Sequence, residues 1–547
     1  MTEIIKNSIF VRLIVFVYSK MREYFSCSAL GALAKTLHES YLQSNTRKAW
    51  EGFCGQPDAA EFSIYKKFLV IIEKLLHVIG SWLENSIIYK IIIGLKNVYL
   101  KITKGSALFG LINSMPLHRW FLVLFGMYLP IEYIVRDTLN LGILASVWEE
   151  LFIMAGIALI LWRNCLKQSN SFARATTMET CLLLYMAAGA LLMMLNRPFP
   201  SIAMAGYRAQ VEYVVWFFII IRLIDSLEDA KALIWGFTGV VFLLSLHGIY
   251  QYIIAVPIPS SWVSQTEAGV RTRVFSLTGS PNIFGSLLVM GAPSCAALMY
   301  YCKEGWKKFL ALCGVGIMCL CILFTFSRGS WVGLIVAIVI FAMYMDKRLL
   351  GIMGMGMAAV LVAVPSITSR LTYLFTNDYK EASAVGGRAL RWETGWNLLH
   401  ENSPWLGFGL GRFGGAVAMN NQVLDKTEEF SYFYMDNYYL KTLVEMGYSG
   451  FIVYIVCLIA FIILAMRVVY RCGRERVYTY GEDALTRNIG SMKPIAAGLF
   501  AGLTGVLVHC YFENIFEEPY MMAYFWGLAA AIAWLGFFRT PGEEYRK

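Results

Sequence analysis

The chain has 547 residues, of which 58% are hydrophobic and 15% aromatic, and its mean hydropathy of +0.57 excludes an ordinary soluble domain. The net charge of +10 comes from 47 Lys and Arg against 37 Asp and Glu; in so apolar a chain this excess reads as a topological signal, and no nucleic-acid partner is expected. The 12 cysteines fall in the N-terminal region and mostly in apolar segments, with no CxxC or Cys/His cluster, so neither a disulfide framework nor a metal site is expected.

Residues 1–118 hold short apolar stretches, 9–17, 68–79 and 87–95, broken by Lys, Arg and Glu and too short to span a bilayer. The 68–80 stretch reads as an amphipathic helix with basic flanks, suited to an anionic inner leaflet. Arg12 interrupts the first stretch and no small-residue cleavage site follows, so it does not read as a signal peptide. The expectation for 1–118 is a cytoplasmic or membrane-surface helical arm without a catalytic role.

From 119 to 540 the pattern changes. Apolar runs of roughly 17–25 residues, long enough for a hydrocarbon core of about 30 Å, occur at about twelve places. They are 120–136, 142–162, 179–195, 209–225, 231–254, 282–301, 308–326, 328–345, 350–366, 440–466, 494–511 and 519–538. The expected class is all-α: a polytopic membrane protein with about twelve transmembrane helices and one large extracytoplasmic loop, 366–438.

Orientation follows from the Lys and Arg of the short connections. Arg163, Lys167, Arg174, Arg222, Lys231, Lys303, Lys307, Lys308, Lys347 and Arg348 fall on one side. Arg467, Arg471, Arg474, Arg476, Arg487, Lys493 and Arg539 continue the same bias. Both termini are therefore expected inside. The 366–438 loop, with six Lys/Arg against eight Asp/Glu, is expected outside.

Several polar residues map to the outer ends of these spans. Glu149 and Glu150 are acids at the mouth of the second span, and intramembrane acids are functional candidates by default. His247 and Gln251 lie in the outer half of the fifth. Arg271 and Arg273 precede Ser280-Pro281-Asn282, and as outer cations they run against the positive-inside bias; Ser280 itself reads as a helix N-cap. Arg328, in Ser327-Arg328-Gly329-Ser330, sits between two consecutive spans, where a guanidinium either snorkels or meets an anion. A guanidinium grips phosphate oxygens as a fork, which Lys cannot match.

Within the long loop, Gly387-Arg388-Ala389-Leu390-Arg391-Trp392 reads as a helix start. Gly407-Phe408-Gly409-Leu410-Gly411-Arg412 reads as a backbone turn that folds the loop over the membrane, since no strand-helix context supports a dinucleotide fingerprint. His400 is a further candidate. Asp436-Asn437 stands where the loop meets the next span, among Tyr432, Phe433, Tyr434, Tyr438 and Tyr439; Asp436 could act as a general base or cap the helix. His509, Asn514, Glu517 and Glu518 flank the last outer turn.

These segments, in this order, resemble the O-antigen ligase and O-antigen polymerase superfamily of bacterial membrane glycosyltransferases. The resemblance rests on His247 to Gln251, Arg273 with Ser280-Pro281-Asn282, Phe326 to Ser330, Gly387-Arg388 to Trp396, Pro404 to Phe413, Asp436 to Leu440 and Glu445 to Gly450. It implies a glycan carried on undecaprenyl diphosphate in the bacterial cytoplasmic membrane, and transfer to a glycan or lipid acceptor hydroxyl at the outer face without metal or other cofactor. With that chemistry in view, the positions of these residues lead to the expectation of catalytic roles for Asp436, Arg328 and Arg273, and of substrate contacts for Arg388, Arg391, Arg412, Asn437, Arg271 and Asn282. Ligase members commonly carry His before the Asn of the 436–437 motif; Asp436 here leaves polymerase, or ligation to another acceptor, beside lipopolysaccharide ligation. A transporter or flippase for lipid-linked sugars or small anions is the alternative class, although the two halves show no evident repeat; a non-catalytic scaffold is the third reading.

Overall fold

The computed structural model describes residues 16, 19–20, 23–139, 142–196, 198–259, 272–373, 375–377, 381, 387–422, 433–474 and 492–539. Among these the chain forms helices and no strand. The arm contributes α1 (Ile64–Asn85) and α2 (Ile87–Ile102), preceded by Ala29–Gln43 and Asn45–Gly55. The bundle follows as α3 (Leu117–Gly126), α4 (Ile143–Cys165), α5 (Thr177–Leu195), α6 (Pro200–Val211), α7 (Val215–Leu223) and α8 (Leu227–Ile253). It continues as α9 (Pro281–Tyr301), α10 (Gly305–Phe324), α11 (Arg328–Tyr344) and α12 (Arg348–Ala363). After α13 (Arg388–Glu401) in the long loop come α14 (Tyr438–Arg474), α15 (Lys493–His509) and α16 (Pro519–Phe537).

The helix starts are written locally. Thr176 with Glu179, and Ser226 with Asp229, form reciprocal capping boxes at α5 and α8. Pro200, Pro281, Pro494 and Pro519 occupy first turns, where their missing N–H costs nothing.

Eight helices among the described residues are long and apolar enough to cross a membrane: α4, α5, α6 running into α7, α8, α9, α10, α14 and α16. Counting each bent pair as one span gives up to 10: α1 with α2 at 69°, and α12 with Ile367–Tyr373 at 99°. The expected twelve is not reached by this measure, because α3, α11 and α15 are apolar but short. The 120–136 run breaks at Met127 and passes into a π-helical turn, Ile134–Thr138. The α11 and α15 helices pack against α9 and against each other; α15 is buried along most of its length, whereas α11 leaves Val332 and Met343 exposed.

That inner packing depends on small residues. A Cβ at Gly498 or Gly502 would lie 2.5 Å from the carbonyl oxygen of Pro293 or Met290, and one at Gly505 would lie 2.7 Å from that of Gly333. The backbones of α15, α9 and α11 therefore touch, the close approach that small residues permit in membrane bundles.

At one end of the bundle arginines form ion pairs, among them Arg163, Arg174 and Arg222, which were expected only to mark topology. Arg222 binds Glu179 at 2.5 Å, Arg163 and Arg174 bind Asp225 at 2.5 and 2.8 Å, and Arg119 binds Asp229 at 2.8 Å. The arm docks on this end: Ala173 N donates to Glu73 at 3.2 Å, Thr177 N to Asp58 at 2.8 Å and Arg222 to the Tyr65 hydroxyl at 3.4 Å. Leu69, Leu76 and Gly80 of α1 are buried, while Phe68, Ile71, Leu75, Val78 and Trp82 form a second, exposed apolar stripe. The α1 helix thus has two apolar faces rather than one, and with α2 it is long enough to enter the membrane as a bent pair.

At the opposite end the long loop is folded. The α13 helix starts after Gly387 as expected, and α14 kinks at Gly447, where φ is +62°. Gly407 packs there so tightly that its Cβ would lie 2.4 Å from Gly447 N. Phe408 N and Gly409 N donate to the carbonyls of Val444 and Glu445 at 2.7 and 3.2 Å. The glycine-rich stretch is the turn its composition predicts, with positive φ at Gly407, Gly409, Gly411 and Gly414.

Candidate functional site

The polar rim at the loop end is built from five chain segments. The first is the turn before α9. Gln251 Oε1 accepts from Phe275 N and Ser276 N at 3.0 and 2.8 Å, and His247 Nδ1 stands 3.0 Å from Ser276 Oγ. These two residues hold the turn. Ser276 and, across from it, Phe326 both adopt positive φ, +48° and +51°, a strained conformation that only a firmly packed surround keeps.

The turn presents Arg273, which is buried. Its Nε donates to the Thr325 carbonyl at 2.9 Å and its Nη2 to Asn282 Oδ1 at 3.0 Å. Asn282 passes the link on, its Nδ2 donating to Glu513 Oε2. Ser280 occupies the N-cap position of α9 without a side-chain capping hydrogen bond, contrary to its expected role.

From the long loop, Arg388 Nε donates to Asp436 Oδ2 at 2.8 Å and its Nη2 to the Phe512 carbonyl at 2.9 Å. Trp392 Nε1, one turn along α13, donates to Asp436 Oδ1 at 2.9 Å. The capping of α14 falls to Asn437, whose Oδ1 accepts from Leu440 N at 3.0 Å. Asp436 is therefore not the cap; it is a buried carboxylate held by a guanidinium and an indole.

His509 closes the floor, fully buried, with Nδ1 2.5 Å from Ser286 Oγ and Nε2 3.5 Å from Ser327 Oγ. Gly329 lies against it: a Cβ there would come within 2.5 Å of His509 Cδ2 and 2.9 Å of Phe512 Cβ. Arg328 opens α11 between Ser327 and Gly329 and is half-buried on the same rim.

Arg273, Asn282, Arg388 and Asp436 thus belong to one network, with Arg328 and Asn437 beside it. Other expected residues lie elsewhere. Arg391 turns its guanidinium over the Phe433 ring at 5.9 Å. Arg412 Nη1 donates to the Phe408 carbonyl at 2.7 Å and its guanidinium sits 4.0 Å over the Phe408 ring, where it supports the glycine-rich turn. His400 contacts Trp396 and Tyr448 on the outer flank. Glu149 pairs with Arg136 at 3.0 Å, and Glu150 with Arg208, in a separate group. Arg271 falls outside the described residues.

Glu517 and Asn514 secure the loop. Glu517 accepts from Ala416 N at 2.6 Å, Lys441 Nζ at 2.8 Å and Asn514 Nδ2 at 3.1 Å. Burial works to raise the Glu517 carboxyl, but the Lys441 ammonium together with the hydrogen bonds from Ala416 N and Asn514 outweighs it, and the group is held below the usual range.

Sequence reasoning missed Glu513. It bridges toward both arginines, through Asn282 on one side and next to the Phe512 carbonyl that Arg388 holds on the other. Burial pushes its carboxyl up, with the hydrogen bond from Asn282 opposing. The available signal was an acid in the same outer turn as His509, Glu517 and Glu518.

Fold and rim together define a multi-pass helical membrane protein whose arginines and carboxylates gather at one end of an apolar bundle. Residues 313–455 match the O-antigen ligase family model, a match that supports the O-antigen ligase and polymerase superfamily. The matched segment contains Thr325, Arg328, Arg388 and Asp436; Arg273, Asn282, His509 and Glu513 lie outside it. No curated protein matches the chain. The domain supports membrane O-antigen ligase or polymerase activity in general.

Proposed function

We propose that the protein is a glycosyltransferase of the bacterial cytoplasmic membrane. It transfers or polymerises a glycan from an undecaprenyl-diphosphate-linked donor onto an acceptor hydroxyl at the outer face, in cell-surface polysaccharide biosynthesis. The observation that carries this reading is the Arg273–Asn282–Glu513 link standing beside the Arg388–Asp436 pair, two guanidiniums and two carboxylates from distant segments on one rim.

In this reading the acceptor oxygen attacks the anomeric carbon of the donor glycan as a carboxylate takes the hydroxyl proton. The anomeric C–O bond to the diphosphate breaks, and its electron pair leaves on the phosphate oxygen. Arg273, Arg328 and Arg388 stabilise that developing charge, which places the electrophilic duty on side chains and calls on no metal. Asp436 is the favoured base. Its pairing with Arg388 masks it, and a diphosphate competing for the guanidinium would release it.

A second assignment, with Glu513 as base, is favoured by one observation: Asp436 has both oxygens engaged, whereas Glu513 accepts from Asn282 on Oε2 and its burial raises its proton affinity. Turnover of purified lipid-linked donor separates the assignments. Arg273→Ala and Arg388→Ala are each expected to cost around 100- to 1000-fold in rate, with poor rescue by Lys. Asp436→Asn should be as severe and Glu513→Gln mild if Asp436 is the base, and the reverse if Glu513 is. Near-normal turnover in both arginine variants would overturn the reading, and lipid-linked sugar moving across vesicles without new glycosidic bonds would favour the transporter class.

A further inference from the structure

Where the arm meets α5 and α14, packing leaves a cleft of ≈ 490 Å³, inside the range of about 300–1,000 Å³ that holds small molecules. Its α14 wall is Ala460, Ile463, Leu464 and Arg467, an i, i+3, i+4, i+7 spacing that puts three apolar side chains and one guanidinium on a single helical face. Met178 of α5 and Phe53 of the arm complete it. At about 1.5 Å per residue, Arg467 stands roughly 10 Å along the helix from Ala460, toward the arginine-rich end. The cleft is therefore polar toward the end of the bundle and apolar toward its middle, the polarity of a lipid in that leaflet.

Arg467 is 5% exposed. Its Nη2 donates to the carbonyls of Phe53 and Gln56 at 3.2 and 2.9 Å, while its Nε is buried with no hydrogen-bond partner. A charge so far from water calls for an anion, and the neighbouring carboxylate is largely committed. Asp58 Oδ1 accepts from Ala60 N at 3.0 Å, Thr177 N at 2.8 Å and Thr177 Oγ1 at 2.5 Å, and its Oδ2 is 3.9 Å from Arg467 Nη1. Arg471, one turn on, donates from Nη1 to the carbonyl of Gln56, a residue of the cleft wall, at 3.0 Å, and Arg474 is 3.1 Å from Glu51, so three guanidiniums stand near two carboxylates at this end of α14.

We propose that this cleft binds an anionic glycerophospholipid, its phosphate on Arg467 and Arg471 and an acyl chain along Ala460, Ile463 and Leu464, and that the lipid helps seat the arm on the bundle. The site lies at the opposite end of α14 from Asp436 and does not depend on the transfer reading.

The test uses the full-length protein in detergent, exposed to dioleoylphosphatidylglycerol or dioleoylphosphatidylcholine at equal molar ratio, with bound lipid counted by native mass spectrometry. Phosphatidylglycerol should be retained about 10-fold over phosphatidylcholine. Arg467→Gln, which removes the charge, and Leu464→Trp, which fills the apolar wall, should each abolish that preference. Leu464→Trp leaves the Arg467 side chain itself unchanged and so separates loss of the apolar wall from loss of the charge. Equal retention of the two lipids, undiminished phosphatidylglycerol in Leu464→Trp, or its displacement by millimolar inorganic phosphate would each overturn the proposal.

Discussion

At residue scale the instructive pair is Asp436-Asn437. From spacing alone either residue could cap α14; the hydrogen bond from Leu440 N selects Asn437 and leaves Asp436 to Arg388 and Trp392. Glu518, in the same outer turn as Glu513, carries a pH prediction. Its carboxyl is raised to about 7 by burial and then by the charge of Glu517. The folded state therefore holds a proton that the unfolded chain releases near the ordinary Glu value, so this group favours folding most at low pH. Its contribution is lost as pH rises from about 4.5 through 7. Melting temperature measured across that window should fall with pH in the parent protein and fall less in Glu518→Gln; parallel curves would remove Glu518 as the cause. The aromatic-flanked Asp436 and the outer arginines were legible in the sequence because charge on an apolar chain stands out. Glu513 was not, since its importance lies in reaching Asn282 from a turn more than two hundred positions away.

At element scale the decisive feature is the loop's attachment to α14. The buried Lys441 pairs with Glu517 at 2.8 Å and approaches Glu445 at 3.7 Å, and Glu445 in turn accepts from Phe413 N at 3.2 Å. One ammonium thus serves two carboxylates that both hold loop backbone. Lys441→Met should leave those carboxylates unpaired and cost about 3–5 kcal/mol, as breaking a buried ion pair does. Limited proteolysis should then cut within 407–421 at a protease concentration that spares the parent, and adding Glu445→Gln with Glu517→Gln should restore resistance. An unchanged cleavage pattern in Lys441→Met would show that the glycine contacts at Gly407 and Gly447 hold the loop alone. The glycine-rich segment was readable as a turn; that it turns against α14 was not, because a glycine marks close approach without naming its partner.

At the scale of the whole molecule, the helix ends sort into two populations. The arginine-rich end carries the Arg222–Glu179 and Arg163–Asp225 pairs and the docked arm, and the opposite end carries the long loop and the rim. We expect the first end inside and the second outside, from the Lys and Arg bias. Cysteines introduced at Asn420 and Gly473 should therefore differ in intact cells: an impermeant thiol reagent should label position 420 and spare 473. The opposite pattern would invert the map and remove the outer-face assignment with it.

What the sequence determined by itself is the class of molecule: apolar runs of spanning length, a charge bias along their connections and a chain of polar motifs sufficed for a helical membrane protein that resembles this superfamily. Those are one-dimensional properties, fixed by composition and period. The tertiary structure decided which polar residues meet. It joined Arg273 to Glu513 through Asn282, released Asp436 from capping, and committed Arg412, Gln251 and His247 to holding turns. It left the expected twelve spans unconfirmed: among the described residues eight helices, or up to 10 counting bent pairs, are long enough, while α3, α11 and α15 are apolar but short. Hydropathy measures what a segment would cost in lipid, whereas the partner of a buried charge is set only when helices distant in sequence are packed together.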